Sequence, residues 1–366
     1  MRQSTDKIAV LIISAIKGGG AERSVLTLGQ GFHELGYKVH ILRFKSLTEY
    51  DLNPNLAYHL LKFKPYKLIP NERFRHKLFA RAIDNFIEKK IGKPDIILSN
   101  LEPSDRVMVH SKLPNIMYII RNNISNKFRL TDNNKLESKI SKLQNIYRKH
   151  PCVCVSKGVE NDLQARLGPH ITSTTIYNPF DKQLIKQMSN ELYSTPHSVL
   201  KPNQYIVHVG SFTYQKAHDV LLKAYAQSSK AYPLVLLGKG KMFDETKALA
   251  KSLGIDDKVI FLGFNKNPYP YMKHSRGLVL SSRFEGFVRV IPEALTLDTP
   301  VVSTDCPSGP SEMLPASSLV PVDDIDALAI KMTELMTEPQ SFRVSLDESF
   351  LPKNIAQQYV DYLTSY

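Results

Sequence analysis

The chain of 366 residues has no tryptophan and three cysteines, and no stretch of it approaches the roughly 20 apolar residues that a membrane-spanning helix needs. Cys152 and Cys154 stand two apart on a strand pattern, so they point to one face and cannot easily bridge each other, and Cys306 is far off in sequence. The expectation is three buried free thiols rather than a disulfide or a metal site. No His/Cys cluster has metal-ligand spacing. The polar start, Met1 to Asp6, leads into an apolar stretch too short and wrongly flanked for a signal peptide, so a cytoplasmic protein is expected. Neither Gly-x-Gly-x-x-Gly nor a Gly-Lys-Ser/Thr phosphate loop occurs, which lowers nicotinamide binding and ATP hydrolysis in rank. Internal repeats and low-complexity segments are absent too.

Acid is the scarcer charge, with 35 Asp and Glu against 48 Lys and Arg, a net charge of +13. The excess is confined to the first half. Lys62 to Lys93 carries ten basic residues against three acids, and Arg121 to Lys149 eight against two. A surface facing something anionic follows: a membrane leaflet, a lipid pyrophosphate or nucleic acid. Solvated helix faces are the plainer alternative. The nucleic-acid reading ranks last, since no stacking-aromatic motif accompanies the charge. Arg73 to Ile91 reads as an amphipathic helix, with Phe74, Leu78, Phe79, Ala82, Ile83, Phe86, Ile87 and Ile91 on one stripe.

The length suits two domains, and β/α alternation runs through both halves. Lys7 to Ser14 is an apolar run suited to a covered parallel strand. Gly18-Gly19-Gly20 and a helix ending at Gly36 follow, then a strand from Val39 to Phe44. Asp95 to Ser99 and Asn115 to Ile120 are further strands, and Arg121-Asn122-Asn123 falls just past the second, a pocket position. Lys135 to Tyr147 reads as a helix and Cys152 to Ser156 as a strand. The pattern restarts at Tyr205 to Val209, with the turn Gly210 to Lys216 and a helix from His218. Strands at Leu234 to Leu237, Val259 to Leu262, Gly277 to Leu280 and Val301 to Ser303 follow, and Ile355 to Leu363 closes the chain as a helix.

After the apolar run Gly277 to Leu280 come Glu285 and Glu293, with seven residues between them. Gly286 follows the first acid, and Pro292 stands where a helix begins. This layout is strand, loop, helix, and in an open α/β sheet ligands bind at such loops. A carboxylate accepts two hydrogen bonds from a vicinal diol, so paired acids suit a ribose or a hexose. A solvated loop acid and a dipole-favoured helix acid would give the same spacing. Asp324-Ile325-Asp326, the one Asp-x-Asp, opens an apolar pattern and reads as a helix N-cap rather than a cation site.

Ser281 to Pro300 resembles the Glu-x7-Glu signature of retaining glycosyltransferases of family 4, and Gly-Gly-Gly-Ala-Glu-Arg at 18 to 23 is similar to their first-loop motif. The resemblance spans nearly the whole chain and is densest from Tyr205 to Leu314. It implies a GT-B fold: two Rossmann-like parallel-sheet domains facing a central cleft. An acceptor-binding domain would cover 1–178, with helix 352–366 crossing back to it, and a nucleotide-sugar domain 179–351. Tyr177-Asn178-Pro179-Phe180 looks like the hinge.

The implied activity is retaining, metal-independent transfer of a hexose or N-acetylhexosamine from a nucleotide-diphosphate sugar, with UDP the expected nucleotide. The acceptor would be a bacterial surface glycan or lipid-linked saccharide. No cofactor or metal is implied. An anionic inner membrane face is an expected partner, and nucleic acid is not. A sugar-nucleotide epimerase or a phosphorylase of the same fold is the rival reading.

By the same resemblance, Glu285 meets the transferred sugar, Glu293 the nucleotide ribose and Lys216 the donor diphosphate. Glu285 and Lys216 are the expected catalytic residues. Ser211, Gly238, Gly263, Phe264, Gly286, Phe287 and Val288 would join them around the donor. Gly19, Gly20 and Arg121 would serve the acceptor or a phosphate. Six positions depart from the family pattern: Ser211 where an Arg is common, Arg121 where a His is common, Val288-Arg289 where many relatives have Pro-Asn, and Leu297-Asp298 where many have Cys-Gly.

Overall fold

The computed structural model describes residues 7–16, 19–46, 52–127, 133–191 and 200–365. The chain divides into two compact units. Residues up to Phe180, joined by those from Glu348 onward, form one, and Asp181–Asp347 form the other.

The first unit is built on a seven-stranded parallel sheet. Its strands are β1 (Ile8–Ile13), β2 (Lys38–Arg43), β3 (Ala57–Leu60), β4 (Ile96–Asn100), β5 (Ile116–Ile120), β6 (Cys152–Cys154) and β7 (Ser173–Thr175), in the order β3-β2-β1-β4-β5-β6-β7. β1 and β5 are apolar but for the Tyr118 hydroxyl, as strands covered on both faces must be, and β4 runs Ile96-Ile97-Leu98 before the buried polar Ser99 and Asn100 at its carboxyl end. The helix Gly20–Glu34 buries Val25, Leu28 and Phe32, and Gly36, at φ +83, ends its last turn. The helix Pro352–Ser365 packs on it. A Cβ at Gly31 would stand 2.1 Å from the Pro352 carbonyl, so only glycine allows this approach.

The second unit holds a six-stranded parallel sheet: β8 (Ile206–Val209), β9 (Leu234–Leu237), β10 (Val259–Gly263), β11 (Gly277–Leu280), β12 (Val301–Thr304) and β13 (Leu319–Val320), in the order β10-β9-β8-β11-β12-β13. Its core joins Phe212, Leu221, Tyr225 and Leu236 to Leu328, Met332 and Leu335. Asp324 caps the helix Ile325–Thr337, accepting from the Ala327 N–H at 2.9 Å.

In both sheets the strand order reverses once near the middle, between β1 and β4 and between β8 and β11. Such a reversal opens a crevice at the carboxyl ends of the two strands, where α/β proteins bind ligands. The loops after β8 and β11 are the two that the sequence singles out.

Several expectations shift in detail. The amphipathic helix runs Glu72–Phe86 and then widens into a π turn over Ile87–Ile91. It buries Phe79, Ile83 and Ile87, whereas Phe74, in its first turn, is 54% exposed rather than on the covered stripe. The helix after Glu285 begins at Val290, so Pro292 lies inside its first turn instead of opening it. Ser156 is not strand but the cap of the helix Lys157–Leu167, accepting from Val159 N–H. All three cysteines are buried and free.

Candidate functional site

The turn after β8 and the loop after β11 are laced together. Ser281 Oγ donates to the carbonyls of Lys216 (2.8 Å) and Ala217 (3.2 Å), and Arg283 N–H to that of Gln215 (2.8 Å). Thr304 Oγ1, at the end of β12, donates to the Ser282 carbonyl at 2.7 Å. Ala217 is held at φ +48, a left-handed conformation that non-glycine residues adopt at a cost. It links the single 3-10 turn Tyr214–Lys216 to the helix His218–Gln227.

This lacing brings Lys216 and Glu285 together. Lys216 Nζ lies 2.5 Å from Glu285 Oε1, which also accepts from Ser282 Oγ at 2.8 Å. Gln215 Nε2 donates to Glu285 Oε2 at 2.9 Å. Glu285 is 6% exposed, and both its oxygens are oriented by donors on either loop. Cys306 lies behind it. Burial, then the Glu285 charge, pushes that thiol up to about 12, which leaves it unreactive.

Glu293 is 5% exposed, on the inner side of its helix. Tyr269 OH donates to its Oε1 at 3.3 Å, and Arg289, one turn earlier, lies 3.4 Å from the same oxygen. Arg289, one of those departures, is therefore an ion-pair partner of the second acid. Val288 is buried, with Gly286 and Phe287 half-buried beside it. A Cβ on Gly309 would stand 3.3 Å from Val288 Cγ2, so the loop after β12 rests on Val288.

The three loops after β8, β9 and β10 are also joined. Gly210 N–H donates to Leu237 O (2.9 Å), Gly238 N–H to Gly263 O (2.8 Å) and Phe212 N–H to Lys239 O (3.1 Å). A Cβ on Gly238 would lie 1.9 Å from the Gly210 carbonyl oxygen, so close backbone approach dictates glycine there. Gly263, at φ +71, precedes Phe264, whose ring is 53% exposed with Lys239 Nζ 4.3 Å from its centroid. Phe264 is a surface ring, and Ser211 is exposed in the turn after β8.

Sequence reading passed over the residues that orient these groups: Gln215, Ser282, Arg283 and the buried pair His208 and His218. His208 Nδ1 pairs with the Val279 carbonyl at 2.9 Å. His218 stacks on Phe212 with centroids 4.1 Å apart, and among the described residues neither of its ring nitrogens has a hydrogen-bond partner. Burial, aided by the nearby Lys216 charge, pulls His208 down to about 4. His218 falls to about 2 through burial, then His208 and Lys216. Their position below a lysine-bearing turn was the available signal.

In the first unit, Arg121 is buried at the carboxyl end of β5. Its Nη2 and Nε donate to Asn100 Oδ1 at 2.7 and 3.3 Å, and its Nη1 to Asn178 Oδ1 at 2.7 Å. Nearby Asp105 accepts from Ser99 Oγ (2.6 Å) and Tyr147 OH (3.2 Å). Burial pushes its carboxyl well above the usual range, against the pull of those bonds and of Arg121. Gly19 and Gly20 open the first helix, with Gly18 outside the described residues. A Cβ on Gly19 would meet Glu22 Oε2 at 2.5 Å, so an acid already occupies the space beside that turn.

The same unit carries a groove of about 860 Å³ between the helices Glu72–Phe86, Glu102–Met108 and Asn133–Tyr147. Arg73, Arg106, Lys139 and Lys142 line it, along with Leu143 and Ile146. Leu68, 87% exposed, and Phe74 lie in the same basic stretch of sequence. Among the described residues no helix is long and apolar enough to cross a membrane, and no group of three or more His, Cys, Asp or Glu is placed to hold a metal.

Two parallel-sheet units, with Glu285 and Lys216 brought together at the strand-order reversal of the second and Glu293 buried on the helix that follows, define the class: a GT-B glycosyltransferase. The family described as "Glycosyltransferase Family 4" matches residues 18–184, and that described as "Glycosyl transferases group 1" matches 191–349. The chain belongs to the family 4 glycosyltransferases of GT-B type. It is 29% identical over 322 residues to the N-acetylgalactosamine-N,N'-diacetylbacillosaminyl-diphospho-undecaprenol 4-alpha-N-acetylgalactosaminyltransferase of Campylobacter jejuni, covering 84% of this chain and 83% of that protein. It is also 29% identical to an uncharacterized glycosyltransferase of Methanocaldococcus jannaschii, over 61% of this chain and 58% of that one. Among solved structures, HepE of Anabaena in complex with UDP and glucose superposes with a TM-score of 0.75 at 18% identity, covering 98% of this chain and 100% of that one. The lipopolysaccharide outer core galactosyltransferase WaaB superposes with a TM-score of 0.68 at 19% identity, covering 98% and 99%.

Proposed function

We propose that the protein moves a hexose or N-acetylhexosamine from a UDP-sugar to a lipid-linked or surface-glycan saccharide, with retention at the anomeric carbon and without a bound metal. The observation that carries this reading is the Glu285 carboxylate, held by Lys216, Gln215 and Ser282 at the strand-order reversal of the second sheet. Its two oxygens are oriented to accept from sugar hydroxyls. When a donor arrives, the Lys216 ammonium has two neighbouring anions to serve, Glu285 and the diphosphate. Charge developing on the leaving diphosphate is stabilised by Lys216 and by N–H groups at the start of the helix His218–Gln227. With Ser211 in place of an arginine, that charge falls more heavily on Lys216.

Glu293 takes the ribose hydroxyls, steadied by Tyr269 and Arg289. The loops at Gly238 and Gly263-Phe264 hold the base, with the exposed Phe264 ring offering a stacking face. UDP as the nucleotide draws support from the HepE complex, and the acceptor class from the Campylobacter enzyme and WaaB. Arg121 and the turn at Gly19 and Gly20 serve the acceptor. The Glu22 carboxylate beside Gly19 suits a hydroxyl there better than a phosphate.

A lipid-linked acceptor places the protein on the cytoplasmic face of a membrane. The groove supplies Arg73, Lys139 and Lys142 as cations for lipid phosphates, its Arg106 being paired with Glu72 and Glu102 on the same wall, and exposed Leu68 and Phe74 supply apolar anchors. The test is to incubate the protein with UDP-glucose, UDP-galactose, UDP-GlcNAc and UDP-GalNAc, with EDTA present, and a short-chain polyprenyl-diphosphate saccharide or a delipidated lipopolysaccharide core. The expected result is an α-linked product from one donor. Epimerised nucleotide sugar formed without acceptor would overturn the reading, and a β-linked product would overturn retention.

A further inference from the structure

We propose that Arg283 is a positioning residue of the donor site, acting through Lys216 and Glu285 rather than on the substrate. The proposal rests on the reading that those two side chains hold the donor. Arg283 stands two residues before Glu285, and the two terminal nitrogens of its guanidinium face the turn that carries Lys216 and the helix after it, while Nε is anchored on the loop before the helix Ile325–Thr337. Nη1 donates to the Tyr214 carbonyl (3.1 Å) and to Asp219 Oδ1 (3.2 Å), and Nη2 to Asp219 Oδ2 (2.8 Å). Nε donates to Asp323 Oδ1 at 2.7 Å. The guanidinium carbon lies 4.4 Å from the centre of the Tyr214 ring, and the Arg283 main-chain N–H donates to the Gln215 carbonyl.

One residue therefore fixes the carbonyls of 214 and 215, the two residues before Lys216, and the first turn of the helix after it. Burial acts to raise the Asp219 carboxyl, and the Arg283 hydrogen bonds and charge outweigh this and leave it below the usual range. Gln215 ties the turn to the same loop twice, its carbonyl to Arg283 and its side chain to Glu285. The separation of Lys216 Nζ from Glu285 is thus set by a brace whose main strut is a planar fork. A lysine at 283 would keep the charge but could not reach the Tyr214 carbonyl, both Asp219 oxygens and Asp323 at once.

The test is a cycle of full-length variants titrated calorimetrically with UDP, GDP and ADP. With the nucleotide that binds the wild type, Arg283→Ala and Arg283→Lys should each weaken affinity about tenfold, and Lys216→Met at least as much. In the Lys216→Met background, Arg283→Ala should add less than about twofold, because a residue that acts through another has nothing left to act on. Asp219→Asn serves in the same cycle should Arg283→Ala fail to fold. Equal weakening in both backgrounds, or wild-type affinity in Arg283→Lys, overturns the positioning role and leaves Lys216 as a donor ligand. Wild-type affinity in Lys216→Met, or no nucleotide bound by the wild type, overturns the donor-site reading and the proposal with it.

Discussion

Lys216 and Glu285 are 69 residues apart in the chain, and Lys216 Nζ lies 2.5 Å from Glu285 Oε1. Both side chains are largely buried, so neither charge is compensated by bulk water, and their mutual attraction is what makes the arrangement tolerable. In the proposed reaction the lysine is shared between this carboxylate and a diphosphate. Lys216→Met keeps the stem and removes the charge. Its turnover is expected to fall by about 10²-fold or more, as on losing an oriented cation at the leaving group. Circular dichroism should show the fold retained. The check is initial-rate transfer of radiolabelled sugar.

Gly238→Ala is expected to destabilise the second unit. The new methyl would overlap the Gly210 carbonyl, and neither backbone can retreat without breaking the bond from Gly210 N–H to Leu237 O or that from Gly238 N–H to Gly263 O. A loss of about 2 kcal/mol is typical of such overpacking. Urea unfolding would register it as a lower midpoint. Because the same contact sets the spacing of the loops after β8 and β9, nucleotide affinity should fall as well.

His218 and His208 make stability fall with acidity. Above their ordinary value of 6.5 both are neutral folded and unfolded, and they contribute no pH dependence. As pH drops below 6.5 the unfolded chain takes up protons that the buried imidazoles, pulled down to about 2 and about 4, refuse. At pH 5 this costs about 2 kcal/mol per histidine by linkage. His218→Phe keeps the stack on Phe212 and cannot protonate. Its unfolding midpoint should fall less between pH 7.5 and pH 5 than that of the wild type. Parallel slopes would contradict the assignment.

Binding to vesicles tests the basic groove. Leu68→Ser with Phe74→Ser should weaken adsorption to vesicles containing anionic lipid, and raising the salt concentration should weaken it for both forms. Cosedimentation measures this directly. Wild-type adsorption to neutral vesicles equal to that on anionic ones, or an unchanged adsorption of the double variant, would count against the proposed surface.

Much of this arrangement is legible in the sequence because covered parallel strands are written as continuous apolar runs. Ile8–Ile13, Ile116–Ile120 and Gly277–Leu280 stand out for that reason, and each carries a loop at its carboxyl end. Of the four edge strands, Val259–Gly263 stands out as an apolar run, whereas Ala57–Leu60, Ser173–Thr175 and Leu319–Val320 do not. Ala57–Leu60 and Ser173–Thr175 are short and mixed or polar, and Leu319–Val320, though apolar, is two residues long, so none presents a continuous apolar run. The same applies around the site. Glu285 and Lys216 sit at recognisable punctuation, whereas Gln215, Ser282 and Arg283 matter through contacts made across some 65 to 70 residues or through a cap on a neighbour, and only folding brings these together. Phe74 shows the converse. Helical periodicity assigned it to the covered stripe, and the helix begins before the sheet reaches it.

The account stands most directly on Glu285, and the measurement is the affinity of Glu285→Gln for UDP and for the UDP-sugar donor, alongside its rate of transfer. UDP should bind within about twofold of wild type, since the diphosphate site is intact, while the added affinity for the sugar and the transfer itself are lost, as expected when a transition-state contact is removed. Wild-type transfer by Glu285→Gln, or an unchanged preference for UDP-sugar over UDP, would contradict it.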